Sequence, residues 1–103
     1  MAKTHNKLVR DKIPEMIKAD GGVPVTRVLN NDDYLKKLIS KLQFECDKLE
    51  NGGDVGDLAD IQEIVMAISE RMDIAPGKLA EVMAKKAVEC GAFKKRIYLE
   101  SVE

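Results

Sequence analysis

Residues 41–60, KLQFECDKLENGGDVGDLAD, place carboxylates where amphipathic helices carry apolar side chains. Upstream and within this stretch, Leu35, Leu38, Ile39, Leu42, Cys46 and Leu49 recur at three- and four-residue steps, the period of one helical face. Glu45 stands three residues after Leu42 and four before Leu49, inside that stripe. A second stripe follows in Leu58, Ile61, Ile64, Val65, Ile68 and Met72. Asp57 precedes Ile61 by four residues and lies inside it, while Asp60 sits on its edge one turn later. Gly52-Gly53 interrupts both patterns with a turn signal. Helices are therefore predicted over 32–51 and 54–72, and so short a connection makes them antiparallel neighbours. Their acids then gather at the end they share.

Working outward, Pro14 suits the first turn of a helix that stops at Gly21. VPVTRVL (23–29) has the β-branched alternation of a short strand, and KRIYLESV (95–102) is a second strand candidate. A fourth helix is predicted from near Pro76 to just before Gly91. Two short strands do not stand alone, so VTRVL is expected to pair with RIYLE and pack on the helices. The fold expected is mainly α, four helices with a small two-stranded β element, in one domain over residues 1–103.

Composition agrees with a helical domain. The 103 residues are 45% hydrophobic and 34% charged, with two Phe, two Tyr and no Trp. A formal net charge of −1 gives no general attraction to nucleic acid or anionic membrane, and neither is expected as a partner. No apolar run approaches the roughly 20 residues that span a bilayer. The opening MAKTHNKLVRDKIP lacks a signal-peptide hydrophobic region. Cys46 and Cys90 form no CxxC pair and there is one His, which argues against zinc and fits a reducing cytoplasm. Met66, Met72 and Met83 are expected in the core, Phe93 packed against the tail, and His5 exposed.

Burying unpaired carboxylates costs several kcal/mol, and crowding them costs more. A divalent cation removes that penalty, and Mg²⁺ prefers carboxylate and water oxygens. The same spacing serves a second arrangement. Lys41 is four residues before Glu45 and Lys48 three after it, so Glu45 can be satisfied by ion pairs alone. Asp54, Asp57 and Asp60 fall in the first turns of a helix, where acids favour the macrodipole.

The segments NKLVRDKIPEMI, RVLNNDDYLKKLISKL, GDLADIQEIVMAI and KKAVECGAFKKRIYLESVE, in this order, resemble the MazG-like all-α nucleoside triphosphate pyrophosphohydrolases. The likeness is to the phosphoribosyl-ATP pyrophosphohydrolase-like branch, and KLVRDKIPE and GAFKKRIYL carry most of it. It implies a MazG-like four-helix bundle, assembled as a homodimer or higher homo-oligomer, and part of Ile64, Ile68 and neighbouring apolar residues is expected to be buried between copies. The implied reaction is Mg²⁺-dependent hydrolysis between the α- and β-phosphates of a nucleotide, giving a monophosphate and pyrophosphate.

The resembling pattern is EExxE on one helix and ExxD on the next. Residues 44–48 read Phe-Glu-Cys-Asp-Lys, retaining only Glu45, and residues 57–60 read Asp-Leu-Ala-Asp. Glu45, Asp57 and Asp60 are thereby implied as catalytic metal ligands; Glu63 points away from the stripe. Lys7, Arg10, Lys12, Lys86, Lys95 and Arg96 match positively charged places of the branch and are candidates for phosphate contact, or else form a solvated face. Cys90 stands where the branch often has Arg. Phe44 and Lys48 depart furthest, and Lys48 is expected to turn toward Glu45, Asp57 or Asp60. The departures define the alternative, a non-catalytic member binding a nucleotide or a protein through the same cleft.

Overall fold

The computed structural model describes residues 4–103; residues 1–3, included in the expected domain, lie outside that range. The described chain is mainly helical, with α1 (Ile13–Ala19), α2 (Asn31–Glu50), α3 (Val55–Arg71) and α4 (Lys78–Cys90). It falls into two units, one ending at Met72 and the other spanning Asp73–Glu103.

In the first unit, α1 carries Pro14 in its first turn, where a missing N–H costs nothing. The chain leaves α1 through Gly21 and Gly22, the Gly22 N–H returning to the Ile17 carbonyl at 2.9 Å. α2 begins at Asn30, whose side chain accepts from the Asp33 N–H at 2.9 Å, with Asp32 and Asp33 favouring the positive helix end. Asn51 closes α2, its side-chain amide donating to the Asp47 carbonyl at 2.8 Å.

The inward seam of α2 is Leu35, Leu38, Leu42, Glu45 and Leu49, alternating steps of three and four. Leu38 and Glu45 are buried and the other three half-buried. Ile39 and Cys46, expected in the stripe, lie just outside this seam and are exposed. The seam of α3 is Asp57, Ile61, Ile64, Ile68 and Arg71, with Ile64 buried. The expected members Leu58 and Met72 are exposed, because each sits one residue out of phase with it.

Contacts at both ends fix α2 and α3 as antiparallel. Lys48 near the end of α2 reaches Asp57 at the start of α3. At the opposite end the Arg71 Nε donates to the Asn31 carbonyl at 3.0 Å, with its Nη2 3.8 Å from Asp32. Burial of Leu38 and Ile64 stabilises the pair by about 1.5–3 kcal/mol each, so the core is small.

In the second unit, α4 follows Gly77 and stops at Gly91, and none of its residues is buried. Met66, Met72, Met83 and Phe93, expected in packed positions, are exposed; Met66 lies off the seam of α3. The β element is also corrected. Residues 23–29 and 95–102 contain no strand, and Val23, Val25, Val28, Ile97, Tyr98 and Leu99 are exposed. Alternation alone supplies no ladder, because a strand needs a neighbour for its N–H and C=O groups, and Pro24 offers no donor. No helix among the described residues is long and apolar enough to cross a membrane.

Candidate metal centre

Glu45 is the one buried charged residue among those described, at 3% exposure. The seam of α2 turns its carboxylate toward α3, and its Oε2 has no hydrogen-bond partner among the described residues. Two lysines of the same helix approach it. Lys41 Nζ is 3.8 Å from Oε1 and Lys48 Nζ 3.6 Å from Oε2, the i−4 and i+3 positions of the helix surface. Lys48 also crosses to α3, with Nζ 3.2 Å from Asp57 Oδ1. The Phe44 ring, one turn earlier, lies with its centroid 5.8 Å from the same nitrogen.

Asp57 is held from two sides. Its Oδ2 accepts the Asp54 N–H at 3.1 Å, while the Asp54 side chain accepts the Gly56 N–H at 2.9 Å, so the two acids form a capping box. That leaves Oδ1 for Lys48. The backbone donor from Asp54, and after it Lys48, hold the Asp57 carboxyl below its ordinary value of 3.8. In return Asp57, with Glu45 behind it, holds the Lys48 ammonium above its ordinary 10.5.

The turn before α3 is tight for a reason in the sequence. Gly52 takes φ +94°, and a Cβ on Gly53 would fall 2.6 Å from Leu49 Cα and 2.7 Å from Asp57 Oδ2. Only glycine lets the start of α3 approach α2 this closely.

Asp60, one turn along α3, pairs with Arg10 Nη2 at 2.6 Å. Asp60 holds the Arg10 guanidinium above its ordinary pKa, the hydrogen bond being the main cause. This link ties the segment before α1 to α3. Sequence reasoning assigned Arg10 to phosphate and missed its carboxylate partner, 50 residues away, which no local spacing encodes.

One oxygen from each of Glu45, Asp57 and Asp60 lies within 4.8 Å of the others, a grouping that can hold a metal ion. In an octahedron with bonds of roughly 2.1 Å, adjacent ligand oxygens stand about 3 Å apart and opposite ones about 4.2 Å, so the three oxygens would draw closer to share one ion. The hard oxygen donors and the unpartnered Glu45 Oε2 fit such an ion. Lys48 stands in its way, since its ammonium already faces two of the three acids.

The other candidate residues are placed differently. Lys7 and Lys12 are exposed, and no ion pair joins either to the cluster among the described residues. Lys86 lies on α4, and Lys95 and Arg96 in the irregular tail; all three are exposed, in the second unit. Glu63 is exposed, as its rotation along α3 implies. Cys46 and Cys90 are exposed free thiols.

Comparison with known proteins adds one partial likeness. Over 53 residues the chain is 45% identical to an uncharacterized protein of Mycolicibacterium smegmatis (strain ATCC 700084 / mc(2)155). The match covers 52% of this chain and 53% of that protein, so the chain spans about half the length of this relative. No family model and no solved structure matches.

Proposed function

We propose that this chain is a Mg²⁺-dependent nucleotide pyrophosphohydrolase of MazG-like type, with a metal site weakened by Lys48. The observation that carries this reading is the convergence of Glu45, Asp57 and Asp60, with a buried Glu45 oxygen left without a donor. A protein does not bury a carboxylate in an apolar seam at no cost, and a cation supplied with a substrate removes that cost. The resemblance of the four quoted segments supplies the substrate class, a nucleoside triphosphate or a phosphoribosyl-ATP-like compound.

In this reading Glu45, Asp57 and Asp60 hold the ion, and the capping box keeps Asp57 in place. When bound, Mg²⁺ polarises the phosphates and orients the attacking water. Arg10, which pairs with Asp60, would meet phosphate oxygens that approach the cluster. Lys7 and Lys12 remain candidates for the outer phosphate contacts. Free Cys46 and Cys90 suit a reducing cytoplasm.

The reading includes a homodimer or higher oligomer. Of the residues expected between copies, Ile64 is buried within the chain and Ile68 half-buried, so the exposed apolar residues of α3 offered to a second copy include Val55, Leu58 and Met66. A second functional reading, a non-catalytic nucleotide- or protein-binding member, is favoured by Lys48 bridging Glu45 and Asp57. Assay of a panel of nucleotides for pyrophosphate release, with Mg²⁺ and with chelator, separates the two.

A further inference from the structure

We propose that Lys48 is a tethered counter-cation, which holds the acidic cluster together without metal and must leave before a divalent ion enters. The inference rests on reading the cluster as a metal site, but not on hydrolysis.

Three observations place the ammonium there. Its nitrogen is 3.2 Å from Asp57 Oδ1 and 3.6 Å from Glu45 Oε2, so it bridges the two helices at the cluster. At 3.6 Å it supplies charge to Glu45 Oε2 without a hydrogen bond, and that buried oxygen has no donor among the described residues. The exposed Phe44 ring lies 5.8 Å from the nitrogen, so an aromatic face and two carboxylates share one cation. Phe44 and Lys48 therefore act as a matched pair rather than as two unrelated replacements.

Charge accounting supports the assignment. Glu45, Asp57 and Asp60 face Lys41, Lys48 and Arg10, three acids against three side-chain cations. These three acids are matched by three cations with no ion present. A divalent cation entering beside the ammonium would meet like charge at a few ångströms, whereas one that displaces it would not. Displacement is open to Lys48, because its side chain is 47% exposed and can turn to solvent. Lys41 cannot substitute, since its nitrogen faces the other Glu45 oxygen. Incoming phosphate supplies an alternative anion for the released ammonium, so ion and nucleotide enter together while either alone binds poorly.

The test uses the full chain as native protein, Lys48→Met, Lys48→Arg and Phe44→Leu. Melting temperature is measured in chelator and with Mg²⁺ or Mn²⁺, and ion affinity by calorimetry. In chelator, Lys48→Met is expected to melt below the native protein. Added ion should raise its melting temperature, with affinity at least about tenfold above native. Lys48→Arg, which keeps the cation, should stay insensitive to the ions. Phe44→Leu, which removes one wall of the ammonium's seat but no charge, should bind the ions several-fold more tightly than native. Equal ion affinity in the native protein, Lys48→Met and Phe44→Leu, whether tight or absent, overturns the inference. Should Lys48→Met stay unfolded, equal affinity of native and Phe44→Leu overturns it by itself. Nucleotide turnover is read separately. Tight ion binding by Lys48→Met with no turnover by either protein removes the pyrophosphohydrolase reading and leaves the counter-cation in place. Turnover by the native protein with unchanged affinity in the variants does the reverse.

Discussion

Lys48 Nζ and Asp57 Oδ1 stand 3.2 Å apart, joining the last turn of α2 to the first turn of α3 across the Gly52-Gly53 turn. This one contact closes the helix pair, neutralises part of a carboxylate cluster and obstructs a site otherwise able to hold a cation. Structure and function meet at it, and so do the measurements that follow.

Stability should show two pH limits. Asp57 is depressed below 3.8, so its contribution is present above that value and is lost as pH falls through the folded-state pKa. Lys48 is raised above 10.5, so its contribution is present below that value and is lost as pH rises through the folded-state pKa. Melting temperature followed across pH should fall on both sides of this window. The acid fall should be shallower in Asp57→Asn and the alkaline fall shallower in Lys48→Met.

Gly53→Ala should destabilise the helix pair by about 1–3 kcal/mol, the range for forcing extra atoms into a tight contact. The new Cβ would meet Leu49 Cα, which is backbone and has little freedom to move, as well as Asp57 Oδ2. Chemical denaturation measures the cost. An unchanged midpoint would mean that α2 and α3 approach less closely than described.

Light scattering at micromolar concentration should give at least twice the chain mass of 11.4 kDa. Leu58 is 53% and Met66 58% exposed on α3, and Leu58→Glu should shift the particle toward the monomer. A native mass of one chain would count against assembly through this surface.

Converting Phe44→Glu together with Lys48→Glu should strengthen Mg²⁺ binding at least about tenfold, because one cation becomes an anion and a second acid joins it. Both positions are partly solvated, so screening trims the effect relative to a dry site. Calorimetric titration of the double variant beside the native protein reads the difference.

Much of this site is legible in the sequence. Glu45 broke an apolar period, Gly52-Gly53 marked the reversal, and these two signals suffice for an antiparallel pair with acids at one end. The turn of Lys48 toward Glu45 and Asp57 followed from its i+3 spacing and the shared helix end. The rotational phase is encoded less sharply. Ile39, Cys46 and Leu58 are apolar neighbours of the true seam, and hydrophobicity alone does not separate seam from flank on a narrow interface. Arg10 on Asp60 is a long-range pairing with no periodic signature. The strand expectation failed because β-branched alternation describes what a strand requires of its residues, not whether a partner lies beside it.

The most direct test is phosphorus NMR of native protein and Glu45→Gln incubated with a set of nucleoside triphosphates, in Mg²⁺ and in chelator. The proposed function predicts slow formation of monophosphate and pyrophosphate from at least one nucleotide, dependent on Mg²⁺ and lost in Glu45→Gln. Absence of pyrophosphate from every nucleotide, release of diphosphate and inorganic phosphate instead, or undiminished turnover by Glu45→Gln would contradict it.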